Sequence, residues 1–300
     1  MGVLKEIFDL IKNGPDNEPS PEDKKRVAEV LDFVRASSPV GKKVIDDALK
    51  NGVVFDLEHD PASKTLGRFV PAFNRIYLDG NADNASLAAV AVHEGRHAVQ
   101  KMGYCHEQTV KSSVTVCRAM EADAMAHECA AAYEMKSADP LVFETFKASR
   151  PNVAEAFEKE YGRSGDMFAA VGEAFRGWYD DASYVGRYDS KIMEFMGMAK
   201  TMGKAYKTVV SGSDVSALLD FDGKPYVPAS FFGTERALTV SEKTAAEAEK
   251  IEKSHIRHLL KKPKTTSADD FYVRTASGEV KPPKALASFP VLQAARRGGR

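Results

Sequence analysis

The stretch from Leu87 to Met102 constrains this chain more than any other. It sets two histidines and a glutamate, His93, Glu94 and His97, into a run whose apolar spacing is that of a helix (LAAVAVHEGRHAVQKM). Residues four apart lie on one helix face, about 5–6 Å from each other, so both imidazoles can reach a single cation while Glu94 projects beside them. The rest of that face is small and apolar, with Val90, Ala91 and Val92 around the polar group. Asp83, Asn84 and Ser86 are each suitable caps for the start of the helix, and Gly103 suits its end.

Imidazole nitrogen suits zinc, and a catalytic zinc site needs a third protein ligand and a position kept for water. That ligand has to come from a second helix. The Ala-rich segment spanning about 107–136 contains CRAMEADAMAHECA and offers Glu121, Asp123, His127 and Glu128. Around a helix axis Glu121 and Asp123 stand about 200° apart and cannot face the same ion, whereas Glu121 and Glu128 share a face. Asp123 and His127 form a pair on another face, so spacing leaves the choice among the four open. Their neighbours are Ala, Met and Cys, which predicts that at least one of these carboxylates is buried and needs a partner such as a metal.

The pair of motifs, HEGRHAVQ and then EADAMA, resembles the H-E-x-x-H…E-x-[DE]-A pattern of gluzincin metallopeptidases, in particular the metallopeptidase domains of bacteria and their phages. The resemblance extends over about 53–195 and is specific at the two motifs. It implies a zincin-like, minimal gluzincin domain with His93, His97 and Glu121 as ligands of Zn2+ and Glu94 as general base. Related gluzincins often carry Asn or Asp four residues after the ligand glutamate, to orient a ligating histidine. This chain has Met125 there, which passes the supporting role to Asp123, His127 or Glu128. Gly103 stands where the elongated metzincin motif requires its third histidine, so that variant is excluded.

The function so implied is zinc-dependent hydrolysis of peptide bonds, with a peptide or protein as substrate. Candidates for stabilising the developing oxyanion are Tyr104, His127, Tyr179, Tyr184 and Tyr188. Tyr184 and Tyr188 share a helix face, a spacing that also reads as core packing. The competing function is a non-catalytic binding or scaffold protein that keeps a zincin domain. The intact Glu94 argues against it, since a scaffold could lose that residue without cost.

Composition narrows the remaining classes. With 43% hydrophobic and 28% charged residues the chain can bury a core, and a formal net charge of −1 gives no global field to hold nucleic acid. No run reaches the roughly 18 apolar residues of a membrane span. Met1 to Gly14 is amphipathic rather than a signal peptide, so a cytoplasmic location is expected. Three cysteines, Cys105, Cys117 and Cys129, fit a reducing compartment and read as small core thiols; a structural zinc cluster with His106 and His127 would lack the usual Cys-x-x-Cys pairing.

The expected fold is α+β, mainly α. Ser20 and Pro21 open one helix and a second runs over about 40–49. Strand texture at 53–57 and in RIYLD (75–79) predicts a small antiparallel sheet next to the HExxH helix, with RIYLD at its edge, where an extended peptide could add as a further strand. The expected organisation is an amphipathic segment at 1–19, a zincin-like metallopeptidase domain at 20–200, and a C-terminal extension at 201–300. That extension reads as largely irregular, with one helix near 241–260 and a disordered end, so a chain ending near Lys264 is expected to fold.

Overall fold

A computed structural model describes residues 19–61, 63, 65–100, 108–201, 208–256 and 267–284. The segment expected to be amphipathic and the end expected to be disordered lie largely outside these residues, as do Cys105, His106, Gly103 and Tyr104. The described chain is mainly helical with three small sheets, an α+β fold. None of its helices is long and apolar enough to cross a membrane. By its contacts the chain forms two compact units, one from residues 1–99 and 131–145 and the other from residues 100–130 and 146–300.

In the first unit, Ser20 caps α1 (Pro21–Ser37) by accepting from the Asp23 amide, with proline in the first turn where no N–H is needed. Ser38 does the same for α2 (Pro39–Lys50) through Gly41. Glu134 adds a second anchor there, accepting from Ser38 Oγ at 2.5 Å and the Val40 amide at 3.0 Å. Gly52, at φ 75°, then turns the chain into β1 (Val54–Glu58).

The sheet of this unit orders its strands β1-β3-β2, where β2 is Gly67–Val70 and β3 is Arg75–Asp79. It is mixed rather than antiparallel. β2 turns back through Pro71–Phe73 and Asn74 (φ 50°) onto β3, pairing Gly67 with Leu78, while β1 runs parallel along the other side, pairing Leu57 with Leu78. RIYLD is therefore the central strand and not an edge. Ile76 and Leu78 are buried, and no peptide can add to a strand already paired on both sides.

Against β2 and β3 lies α3 (Asn84–Val99), which also packs on α1 and α2. Asp83 caps it through the Ser86 amide. Arg26 on α1 fixes its entry, donating to the carbonyl oxygens of Gly80 and Ala82 and to Asn84 Oδ1.

The second unit is built around the first part of α4 (Val110–Met135) and, from the end of α5 (Pro140–Ser149), whose residues up to 145 belong to the first unit, continues into the helical hairpin of α6 (Pro151–Ser164) and α7 (Met167–Trp178). Gly177 lets that hairpin close, because a Cβ there would lie 2.6 Å from the Asn152 carbonyl oxygen. The long α8 (Ala182–Thr201) follows. Short elements come next: α9 (Gly212–Leu218), the β4–β5 hairpin (Asp220–Phe221 and Lys224–Pro225), α10 (Glu235–Leu238), β6 (Thr239–Ser241) and α11 (Glu242–Ile256).

Of the residues after Lys264, those described, 267–284, fold into short elements. Residues 267–284 carry β7 (Tyr272–Arg274), parallel to β6, and β8 (Val280–Lys281). Ala268 and Phe271 enter one core cluster with Val110, Val114, Met196 and Leu238, and Glu252 accepts from the Ser267 amide at 2.7 Å. Strands of two or three residues are too short to print an alternation, so sequence pattern missed them.

Candidate metal centre

On α3, His93 and His97 stand one turn apart with their Nε2 atoms 3.1 Å from each other and their rings edge to face. Two nitrogen donors bound at 2.0–2.1 Å to one tetrahedral ion lie about 3.3 Å apart, so the imidazole pair has the bite of a single small cation. His93 and Glu94 are both buried. The surrounding helix is made of small residues where close approach is needed: a Cβ on Gly95 would lie 3.2 Å from Val44 Cγ1 of α2. Gly67 of β2 does more. A Cβ there would lie 2.5 Å from Val90 Cγ1 and 3.0 Å from Glu94 Cγ, so the strand presses directly on the Glu94 side chain.

Glu121, Asp123, His127 and Glu128 sit on α4, in the second unit. Asp123 is wholly buried, and both its oxygens are engaged: Oδ1 accepts from the Tyr226 hydroxyl at 2.7 Å and Oδ2 from Gln100 Nε2 at 2.7 Å. His127 Nδ1 lies 3.3 Å from Asp123 Oδ1 and 2.8 Å from the Asp123 carbonyl oxygen, and its ring packs beside Phe221 and Tyr226. Asp123 and His127 thus form one buried polar knot. Glu128 is buried as well; burial first, and then the charges of Glu128 and Glu158, push the Cys129 thiol up. Neither Cys117 nor Cys129 is in a disulfide.

Glu121 faces elsewhere. Its Oε2 is sealed from solvent, and its charge acts on the Tyr188 hydroxyl of α8. Burial, followed by the Glu121 charge and Tyr184, holds the Tyr188 hydroxyl far above the ordinary phenol range, so it stays an O–H donor. Among the described residues, His93, His97 and Glu121 supply the donor types of a metal group: two imidazoles and one carboxylate.

Of the residues considered for an oxyanion, His127 is held in the Asp123 knot, and Tyr184 and Tyr188 pack on Trp178 with their hydroxyls 3.4 Å apart. Tyr179 is buried among Phe175, Trp178 and Phe231. Sequence reasoning missed Tyr226, Gln100 and the pair Arg118–Asp189. Tyr226 follows the two-residue strand β5 and gives no signal of its own. Arg118, one turn before Glu121 in an Ala-rich helix, did carry one, since a buried guanidinium demands a carboxylate.

A sequence model of the Putative metallopeptidase family (DUF6782) matches residues 9–212, which include His93, Glu94, His97, Glu121, Asp123, His127 and Glu128. No curated protein and no solved structure matches the chain.

Proposed function

Because the chain belongs to this metallopeptidase family, which implies a metal cofactor and peptide substrates, we propose that it is a zinc-dependent peptidase. In this reading His93, His97 and Glu121 hold the ion and Glu94 is the general base. The observation that carries it is the His93–His97 pair, with Nε2 atoms 3.1 Å apart on the helix that also bears Glu94. Two imidazoles and one carboxylate are a donor set of catalytic zinc, with one position left over. Zinc so bound supplies Lewis acidity, toward the scissile carbonyl and toward water.

The rest of the chemistry falls to the chain. His93 and His97 serve as neutral imidazoles through Nε2, and the Glu121 carboxylate brings a negative charge that offsets part of the ion's. Glu94 takes the proton from the attacking water on a carboxylate oxygen and returns it to the departing amine nitrogen, ending as it began. Its burial keeps bulk water from competing for that proton, and Gly67 confines its side chain. Asp123, bonded to Tyr226 and Gln100, acts as internal support for α4 and not as a ligand.

Glu94→Gln keeps the shape of the side chain and removes its basicity. The variant should bind one zinc per chain as the parent does and lose peptidase activity by roughly 10²–10⁴-fold. Full activity in the variant would overturn the mechanism. A parent protein that binds no metal would point to the scaffold reading instead.

A further inference from the structure

We propose that the cleft beside β6, at the carboxyl ends of β6 and β7, is a binding site for a short peptide with both ends free. The cleft lies wholly within the second unit and has a volume of about 730 Å³, inside the range of roughly 300–1,000 Å³ usual for small-ligand sites. None of its lining residues belongs to the proposed metal centre, so the inference stands apart from that reading.

Topology places backbone donors at one end. β6 and β7 run parallel, with Ser241 opposite Arg274, and α11 lies in the crossover between them, following β6 without an intervening residue. Ser241 Oγ accepts from the Thr244 amide at 3.0 Å, which leaves the amides of Glu242 and Lys243, the first two of the helix, without a partner inside it. A helix N-terminus at the carboxyl end of a parallel strand attracts an anionic group. The exposed side chains of Lys243 and Arg274 line the same end.

Deeper in the cleft the charges are matched. Arg118 and Asp189, each 1% exposed, hold one another through bonds of 2.8 and 2.6 Å, and Arg118 also donates to the carbonyl oxygens of Ala237 and Thr239. Arg236 pairs with Asp180 in the same way. Tyr179 is different. It lines the cleft at 8% exposure, and among the described residues its hydroxyl has no hydrogen bond. A buried hydroxyl without a partner is costly, and an acceptor carried in by a ligand would satisfy it.

The remaining charges select the ligand. With those two pairs closed, the lining keeps Lys243 and Arg274 against Glu235 and Glu242, and none of the four has an ion pair among the described residues. Glu242 stands in the first turn of α11, where the helix dipole favours an acid. Glu235, which opens α10 ahead of β6, is left to meet a cation at the other end. A simple anion such as phosphate would leave it unanswered. A peptide satisfies both ends: its carboxylate goes to Arg274, Lys243 and the α11 amides, its ammonium goes to Glu235, and Tyr179 donates to one of its oxygens. The three residues of β6 span about 10 Å, which an extended peptide of about three residues matches.

The test is calorimetric titration of trialanine into full-length protein carrying Glu94→Gln, so that the probe is not consumed. One molecule should bind per chain, and Arg274→Ala and Glu235→Ala, both at exposed positions, should fold as the parent does and each weaken binding by about tenfold or more. Tyr179→Phe, which keeps the ring, should weaken it several-fold. Arg274→Ala should cost nothing further with trialanine amide, which lacks the carboxylate, nor Glu235→Ala with acetyl-trialanine, which lacks the ammonium. Equal binding of the free and capped peptides, affinity unchanged in both charge variants, or inorganic phosphate bound where trialanine is not, would each overturn the inference. None of these outcomes bears on the metal ligands.

Discussion

Asp123 shows how a residue two positions from a proposed ligand can have a wholly different duty. It is fully buried, and its two oxygens are matched to Tyr226 and Gln100. A buried carboxylate is tolerated only when so matched. Tyr226→Phe removes one donor from that oxygen, so it should cost about 1.5–3 kcal/mol of stability, as bonds to charged groups do, with zinc affinity changed little. Urea denaturation of the metal-free variant measures it, and a change under 0.5 kcal/mol would show that water replaces the phenol. At this scale the sequence was legible where chemistry is local: His93, Glu94 and His97 lie within one helical turn and announce themselves. The helical angle between Glu121 and Asp123 was equally readable. Asp123's partner was not, because Tyr226 is 103 positions away and nothing in either stretch names the other.

Elements with a cap and a period were readable for the same local reason. Ser20 with Pro21 and the apolar stripe Val27, Val30, Leu31 and Val34 specify α1 with no help from elsewhere. Strand pairing is different. RIYLD reads as a strand, yet its place in the sheet depends on the turn at Asn74 and on β1, and Ile-Tyr-Leu shows no alternation that would separate a centre from an edge. The contact between β2 and α3 is another feature of pairing. Gly67→Ala would force its new methyl against Val90 and Glu94, at a cost of about 1–3 kcal/mol for overpacking. Because the intruding atom meets the Glu94 side chain, kcat/KM should also fall, by roughly tenfold to a hundredfold, with zinc stoichiometry kept. Normal turnover with lowered stability would mean that the strand, not the glutamate, gives way.

For the molecule as a whole, residues 267–284, beyond Lys264, are structural. A chain ending there would lose β7, β8, Ala268 and Phe271, and would leave Glu252 without its Ser267 partner. The loss of Phe271 alone compares with a core Phe→Ala change of about 3–5 kcal/mol. The truncated protein should therefore unfold at lower urea than the full chain, and an unaltered midpoint would show that 267–284 contribute nothing. The first unit has its own dependence on chain length, because Glu134 binds Ser38 and the Val40 amide from 94 to 96 positions away. During synthesis α2 leaves the ribosome long before the carboxylate that secures its N-terminus exists, and the stretch 100–130, which belongs to the other unit, must be made in between. Neither unit can be copied, excised or transplanted by a single cut in the gene. The two are bound to one another in inheritance.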